Sequence, residues 1–194
     1  MKYYPKLLDN IKGKKVTSHW SIPKITKPIA SFGTSNFARI ENIDRDDVQV
    51  FSYSGMKLDH LLMILEDYKH GPSSKNPGMQ PAEVIFMAGL NNMNIGKGTN
   101  KVYISRIHSA AKKQFPESRI SFCQIPMVKG RFSPTQYDVI QDLNKEIAEY
   151  CNRHNLKCIP KISDKDFEVD VADPIHWTPR CADKIFNHIL KHLN

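Results

Sequence analysis

Long apolar runs are missing from this chain. No stretch approaches the roughly 18 to 20 apolar residues needed to cross a bilayer, so no transmembrane helix is expected. The opening MKYYPKLLDNIKGKK carries no apolar segment of the kind that directs export, so no secretory leader is expected either. Cysteine is scarce. Cys123, Cys151, Cys158 and Cys181 form no C-x-x-C pair and sit in apolar, core-like patterns, which argues against a disulfide framework or a zinc ribbon. Reduced thiols in a cytoplasmic setting are the expectation. No fixed-period repeat occurs, and no low-complexity tract beyond a lysine-rich start, which excludes solenoid and fibrous architectures.

What is present is an ordinary globular composition. The 194 residues are 40% hydrophobic and 25% charged, enough for one core and one folded domain. The net charge of +8 is unevenly placed: residues 1–27 hold seven lysines against the single acid Asp9, leaving the remainder nearly neutral. The chain therefore divides into a basic arm or linker, 1–27, and a domain, 28–194. An arm of this kind suits a polyanion, RNA or an anionic membrane surface, with Lys12, Lys14 and Lys15 as its candidate contacts. A solvated tail is the plainer alternative.

Along the domain, strand signals alternate with helical ones. Ile29 to Phe32 reads as a strand, Gly33 to Asn36 as a tight turn, and Phe37 to Ile40 as the start of a helix. Val48 to Tyr53 is a second strand; Leu58, Leu61, Leu62, Leu65 and Tyr68 then recur with helical period. A third strand, Ala82 to Ala88, ends at Gly89. Val102, Ile104, Ile107, Ala110 and Ala111 mark a helix, Arg119 to Ile125 a strand, and Ser133-Pro134-Thr135-Gln136 a capping box opening another helix. A short strand, Leu156 to Pro160, precedes a last helix that begins at Thr178-Pro179. This alternation predicts an α/β fold, a three-layer αβα sandwich around a mostly parallel sheet.

In such sheets, function collects at the strand C-terminal ends. Three turns follow strands directly: Gly33 to Asn36, Ser54-Gly55 and Gly89 to Asn92. A serine at a strand-to-helix turn has an exposed hydroxyl, and its N–H points where negative charge would develop. Ser35 fits that description, although the same turn could cradle a phosphate. A serine needs a base, and among eight histidines His176 stands out, lying just before the final helix with Asp173 three residues earlier. His188 and His192, four apart, could share a metal, but no nearby carboxylate or cysteine completes a site, and a solvated helix face is the expectation. Of the scattered methionines, those near the Gly55 and Asn91 turns could line an apolar acyl pocket.

Taken in order, the serine turn, the glycine turn, G-x-N and a late D-x-x-H resemble the sequence blocks of the SGNH (GDSL-like) serine hydrolases, over roughly residues 28–194. The resemblance implies a flavodoxin-like SGNH-hydrolase fold and a serine esterase acting on small acyl, acetyl or lipid-type esters. In it Ser35 attacks, His176 is the base and Asp173 orients it. The N–H groups of Ser35 and Gly55 and the amide of Asn91 form the oxyanion hole, and neither metal nor cofactor is required. Two positions depart from the pattern: Thr34 and Asn92 stand where the family carries carboxylates. A catalytically weak or inactive module that binds RNA or anionic membranes through its arm is therefore the alternative reading. Within the family, Trp20 to Leu62, with PKITKPIASFGTSNFARI and VQVFSYSGMKLDHL, is similar to the esterase domain of first-frame proteins of LINE-type retrotransposons. That similarity implies a cytoplasmic ribonucleoprotein setting and an upstream RNA-binding or self-associating part.

Overall fold

The computed structural model describes residues 21–43, 45–94, 100–127, 132–167, 169 and 175–193. Among them, five strands form one sheet: β1 (Ile29–Thr34), β2 (Val48–Tyr53), β3 (Glu83–Met87), β4 (Arg119–Cys123) and β5 (Lys157–Ile159). Their spatial order is β2-β1-β3-β4-β5, and every pairing is parallel. Four α-helices accompany them: α1 (Leu58–Glu66), α2 (Asn100–Gln114), α3 (Pro134–Arg153) and α4 (Pro179–Lys191). The expected parallel α/β sandwich is what folds.

Side-chain alternation along the strands divides the core in two. Ala30, Phe32, Phe51, Tyr53, Val84, Phe86, Ile120 and Phe122 pack with the apolar faces of α1, α2 and α3. On the opposite face, Ile29, Val48, Val50, Ile85, Met87, Cys123 and Ile159 meet α4. Strands buried on both faces explain why the sequence shows continuous apolar runs there. The helix starts obey the capping rules: Ser133 Oγ accepts from Gln136 N and Thr178 Oγ1 from Cys181 N.

Three details differ from expectation. The segment after Gly33 forms a five-residue 3-10 helix, Ser35–Arg39, in place of a longer α-helix. It still buries Phe37, whose ring meets Phe186 of α4 edge-on at 5.5 Å. Gly33 makes this contact feasible, because a Cβ there would lie 2.2 Å from the Phe37 ring. Val102 on α2 is exposed, so that helix buries a narrower stripe through Ile104, Ile107 and Ala111. Packed structure also begins ahead of residue 28. Ile22 and Ile25 are buried in the main core, Ile25 O accepts from Met79 N at 2.8 Å, and Thr26 N donates to Gln49 Oε1 at 2.9 Å. Lys12, Lys14 and Lys15 lie outside the described residues.

The chain leaves β1 for β2 on one side and returns to β3 on the other, so the topology reverses beside β1. The turns that follow β2, β1 and β3 consequently stand next to one another along a single sheet edge, at the switch point where parallel sheets hold their ligands.

Candidate active site

At that edge Ser35 opens the 3-10 helix as the first residue after β1. Its Oγ lies 2.8 Å from His176 Nε2, a hydrogen-bonding distance, across 141 positions of sequence. His176 sits in the turn before α4, between Ile175 and the fully buried Trp177. Trp177 anchors that turn in the second core, where Phe167 meets its ring edge-on at 6.1 Å and Val169 pairs with it in an isolated antiparallel bridge. Asn36 is also fully buried. Its Nδ2 donates to Ile175 O at 3.2 Å, and its Oδ1 accepts from Trp177 N at 3.0 Å. Asp173 lies outside the described residues.

The other two turns are tied together beside this pair. Gly55 closes the turn after β2 with φ of 69°, a left-handed conformation that favours glycine. Asn91 follows β3 in the 3-10 helix Leu90–Asn94, and its Nδ2 donates to Met56 O at 3.0 Å. Asn92 is fully buried; its Oδ1 accepts from Leu58 N at 3.1 Å and its Nδ2 donates to Asn100 Oδ1 at 3.2 Å. These bonds join the second and third turns and cap the start of α1. They also give Asn92 a structural reason to be an amide, since an ionised carboxylate could accept from Leu58 but could not donate to Asn100. Thr34, the other departure, is buried, and Ser52 Oγ donates to its carbonyl at 2.8 Å.

Exposure sorts these residues by role. Ser35, Gly55, Asn91 and His176 are half-buried, while Thr34, Asn36, Asn92 and Trp177 behind them are buried. Groups that could meet a ligand face outward, and the groups that hold them are packed. Met56 and Met93 fill the core beneath the turns, as methionine commonly does. The remote histidine pair is engaged with backbone: His188 Nε2 lies 2.9 Å from Pro160 O, and His192 Nδ1 lies 2.9 Å from His188 O. Sequence reasoning missed Asn36 and Trp177. A signal for the first was present, because a polar residue inside an apolar turn must find partners if it is buried.

No protein-family model matches the chain, and no curated protein sequence matches it. Solved structures do. A lipolytic protein of the G-D-S-L family from Veillonella parvula aligns with a TM-score of 0.62 at 13% identity, over 84% of this chain and 96% of its own. A lipase/acylhydrolase from Enterococcus faecalis aligns with 0.61 at 16% identity, over 87% and 95%. A family two carbohydrate esterase from Cellvibrio japonicus aligns with 0.60 at 15% identity, over 88% of this chain and 62% of its own. At such identities the likeness establishes architecture. The fold is of the SGNH-hydrolase type, as the order of the sequence blocks implies.

Proposed function

We propose that this protein is a serine esterase of the SGNH type that hydrolyses small acyl esters through an acyl-enzyme. The observation that carries the proposal is the 2.8 Å approach of Ser35 Oγ to His176 Nε2 at the sheet's switch point. In the first half-reaction, His176 Nε2 takes the Ser35 proton as Oγ attacks the acyl carbonyl. The resulting oxyanion is received by the N–H groups of Ser35 and Gly55 and by Asn91. An amide nitrogen has two hydrogens, so the bond from Asn91 to Met56 O holds the side chain and leaves one N–H for the substrate. Collapse breaks the ester C–O bond, and the departing alkoxide takes the proton from His176. Water then attacks the acyl-enzyme with His176 again as base, releasing the acid and restoring the Ser35 hydroxyl. Asp173 holds the imidazole with its proton on Nδ1 during both steps. Each oxyanion donor is worth about 2.7 to 4 kcal/mol of transition-state stabilisation in comparable sites.

The test is turnover of p-nitrophenyl acetate by the wild type, Ser35→Ala and His176→Ala, together with mass mapping of a fluorophosphonate adduct. The expected result is loss of hydrolysis in both variants and a label on Ser35; equal rates in all three proteins would end the assignment.

A second reading rests on the lysine excess of residues 1–27 and on the family resemblance read in Trp20 to Leu62. In it the enzyme works in a cytoplasmic ribonucleoprotein and the arm holds RNA electrostatically. RNA affinity should then fall steeply as salt rises and collapse when Lys12, Lys14 and Lys15 are replaced by glutamate. Salt-independent binding removes this reading and leaves the esterase untouched.

A further inference from the structure

We infer that Asn36 is a positioning residue that sets the Ser35–His176 geometry by clamping the backbone on both sides of the base; the inference rests on the esterase reading. The juxtaposition is specific. Asn36 follows the nucleophile directly in the chain, and its amide makes one bond to the residue before His176 and one to the residue after it, at 3.2 and 3.0 Å. The side chain is fully buried, so neither bond competes with bulk water. Asparagine alone among side chains of this size offers a donor and an acceptor in one rigid plane, matching the carbonyl of Ile175 and the N–H of Trp177. Thr34 and the 3-10 turn carry Ser35; Trp177 and α4 carry His176. Asn36 adds a polar link between these two bodies to the Phe37–Phe186 ring contact. Displacing reacting groups by about 1 Å can cost about 100-fold in rate. A clamp of this kind therefore acts on turnover more than on substrate binding.

The experiment compares wild type, Ser35→Ala, Asn36→Leu, Asn36→Asp and Glu83→Leu in ester kinetics and thermal melts. Glu83 is a control of equal burial at the opposite end of the sheet, where it accepts from Arg119 Nε and Ser121 Oγ, each at 2.7 Å. Both leucine variants should melt earlier. Only Asn36→Leu should lose kcat, by about 10- to 100-fold with KM changed less than about threefold. Asn36→Asp preserves the shape; once ionised it still accepts from Trp177 N but cannot donate to Ile175 O, so its kcat should fall relative to wild type as pH rises, with KM little changed. That second variant decides the question if Asn36→Leu does not fold. Wild-type kcat in Asn36→Leu overturns the inference, as does an equal loss in Glu83→Leu or, for Asn36→Asp, a kcat that matches wild type up to about pH 9, where even a buried carboxyl ionises. Each of these leaves the esterase standing. Wild-type turnover that persists in Ser35→Ala overturns the esterase reading itself, and the inference with it.

Discussion

Asn92 caps the first turn of α1 from the far side of β1: its Oδ1 accepts the backbone N–H of Leu58 at 3.1 Å, while Nδ2 donates to Asn100 at 3.2 Å. Through these bonds the start of α1, the turn after β3 and the start of α2 are held as one unit. Asn92→Ala leaves buried partners unsatisfied and should cost about 1 to 3 kcal/mol, read from urea melts. Asn92→Asp with a neutral carboxyl retains the bond to Leu58 and should lose less at low pH; burial disfavours its ionisation in the fold, so its deficit should grow as pH rises above the ordinary aspartate value of about 3.9. An alanine variant as stable as wild type would show that the amide is not holding the turns together.

Gly89 adopts φ of +121°, and a Cβ there would lie 2.5 Å from Leu143 Cδ2 and 3.0 Å from Ile125 Cδ1. Gly89→Ala thus combines backbone strain with overpacking and should destabilise by about 2 to 4 kcal/mol. Because the next turn carries Asn91, kcat should fall as well. Activity and melting temperature measured on the same preparation check both effects.

Two histidines make stability depend on pH. Burial lowers the pKa of His60, against an opposing pull from Asp59, and its Nδ1 accepts from Lys57 N at the start of α1. Burial also lowers the pKa of His108, helped by His154 and Lys112, and its Nδ1 lies 3.0 Å from Tyr150 OH. A lowered folded-state pKa means that the unfolded chain binds protons more readily. The contribution of these groups is thus complete above the unfolded imidazole value of about 6.5 and is lost as pH falls through the lower folded values. Melting temperature should decline below about pH 6.5, and the decline should flatten in His60→Gln combined with His108→Gln. An unchanged slope in the double variant would place the acid sensitivity elsewhere.

Residues just before β1 belong to the packed body. Ile25 is fully buried, and its N–H reaches Tyr68 OH at 3.4 Å. Ile25→Ala should cost about 2 to 4 kcal/mol. Deleting residues 1–27 should destabilise the domain far more than deleting 1–20, because only the longer deletion removes Ile22 and Ile25. Equal melting temperatures for the two truncations would contradict this packing.

Much of this was legible in the sequence, and the legible part follows from local rules. Apolar runs of strand length between helical periods specified a parallel sheet, and Ser133-Pro134 and Thr178-Pro179 marked helix starts because capping is a matter of a few adjacent atoms. The three turns fall on one edge by strand order alone, since parallel strands in a sheet all end on the same side. Tertiary structure alone decided the rest. The meeting of Ser35 with His176 depends on how α4 packs on the sheet, and the clamp by Asn36 depends on backbone groups that look alike at every position. The burial of Ile22 and Ile25 within a lysine-rich segment escaped charge counting, because packing is settled by which surface a short apolar pair can reach. Periodicity and caps are properties of neighbours in sequence, whereas a reactive pair is a property of distances across the fold.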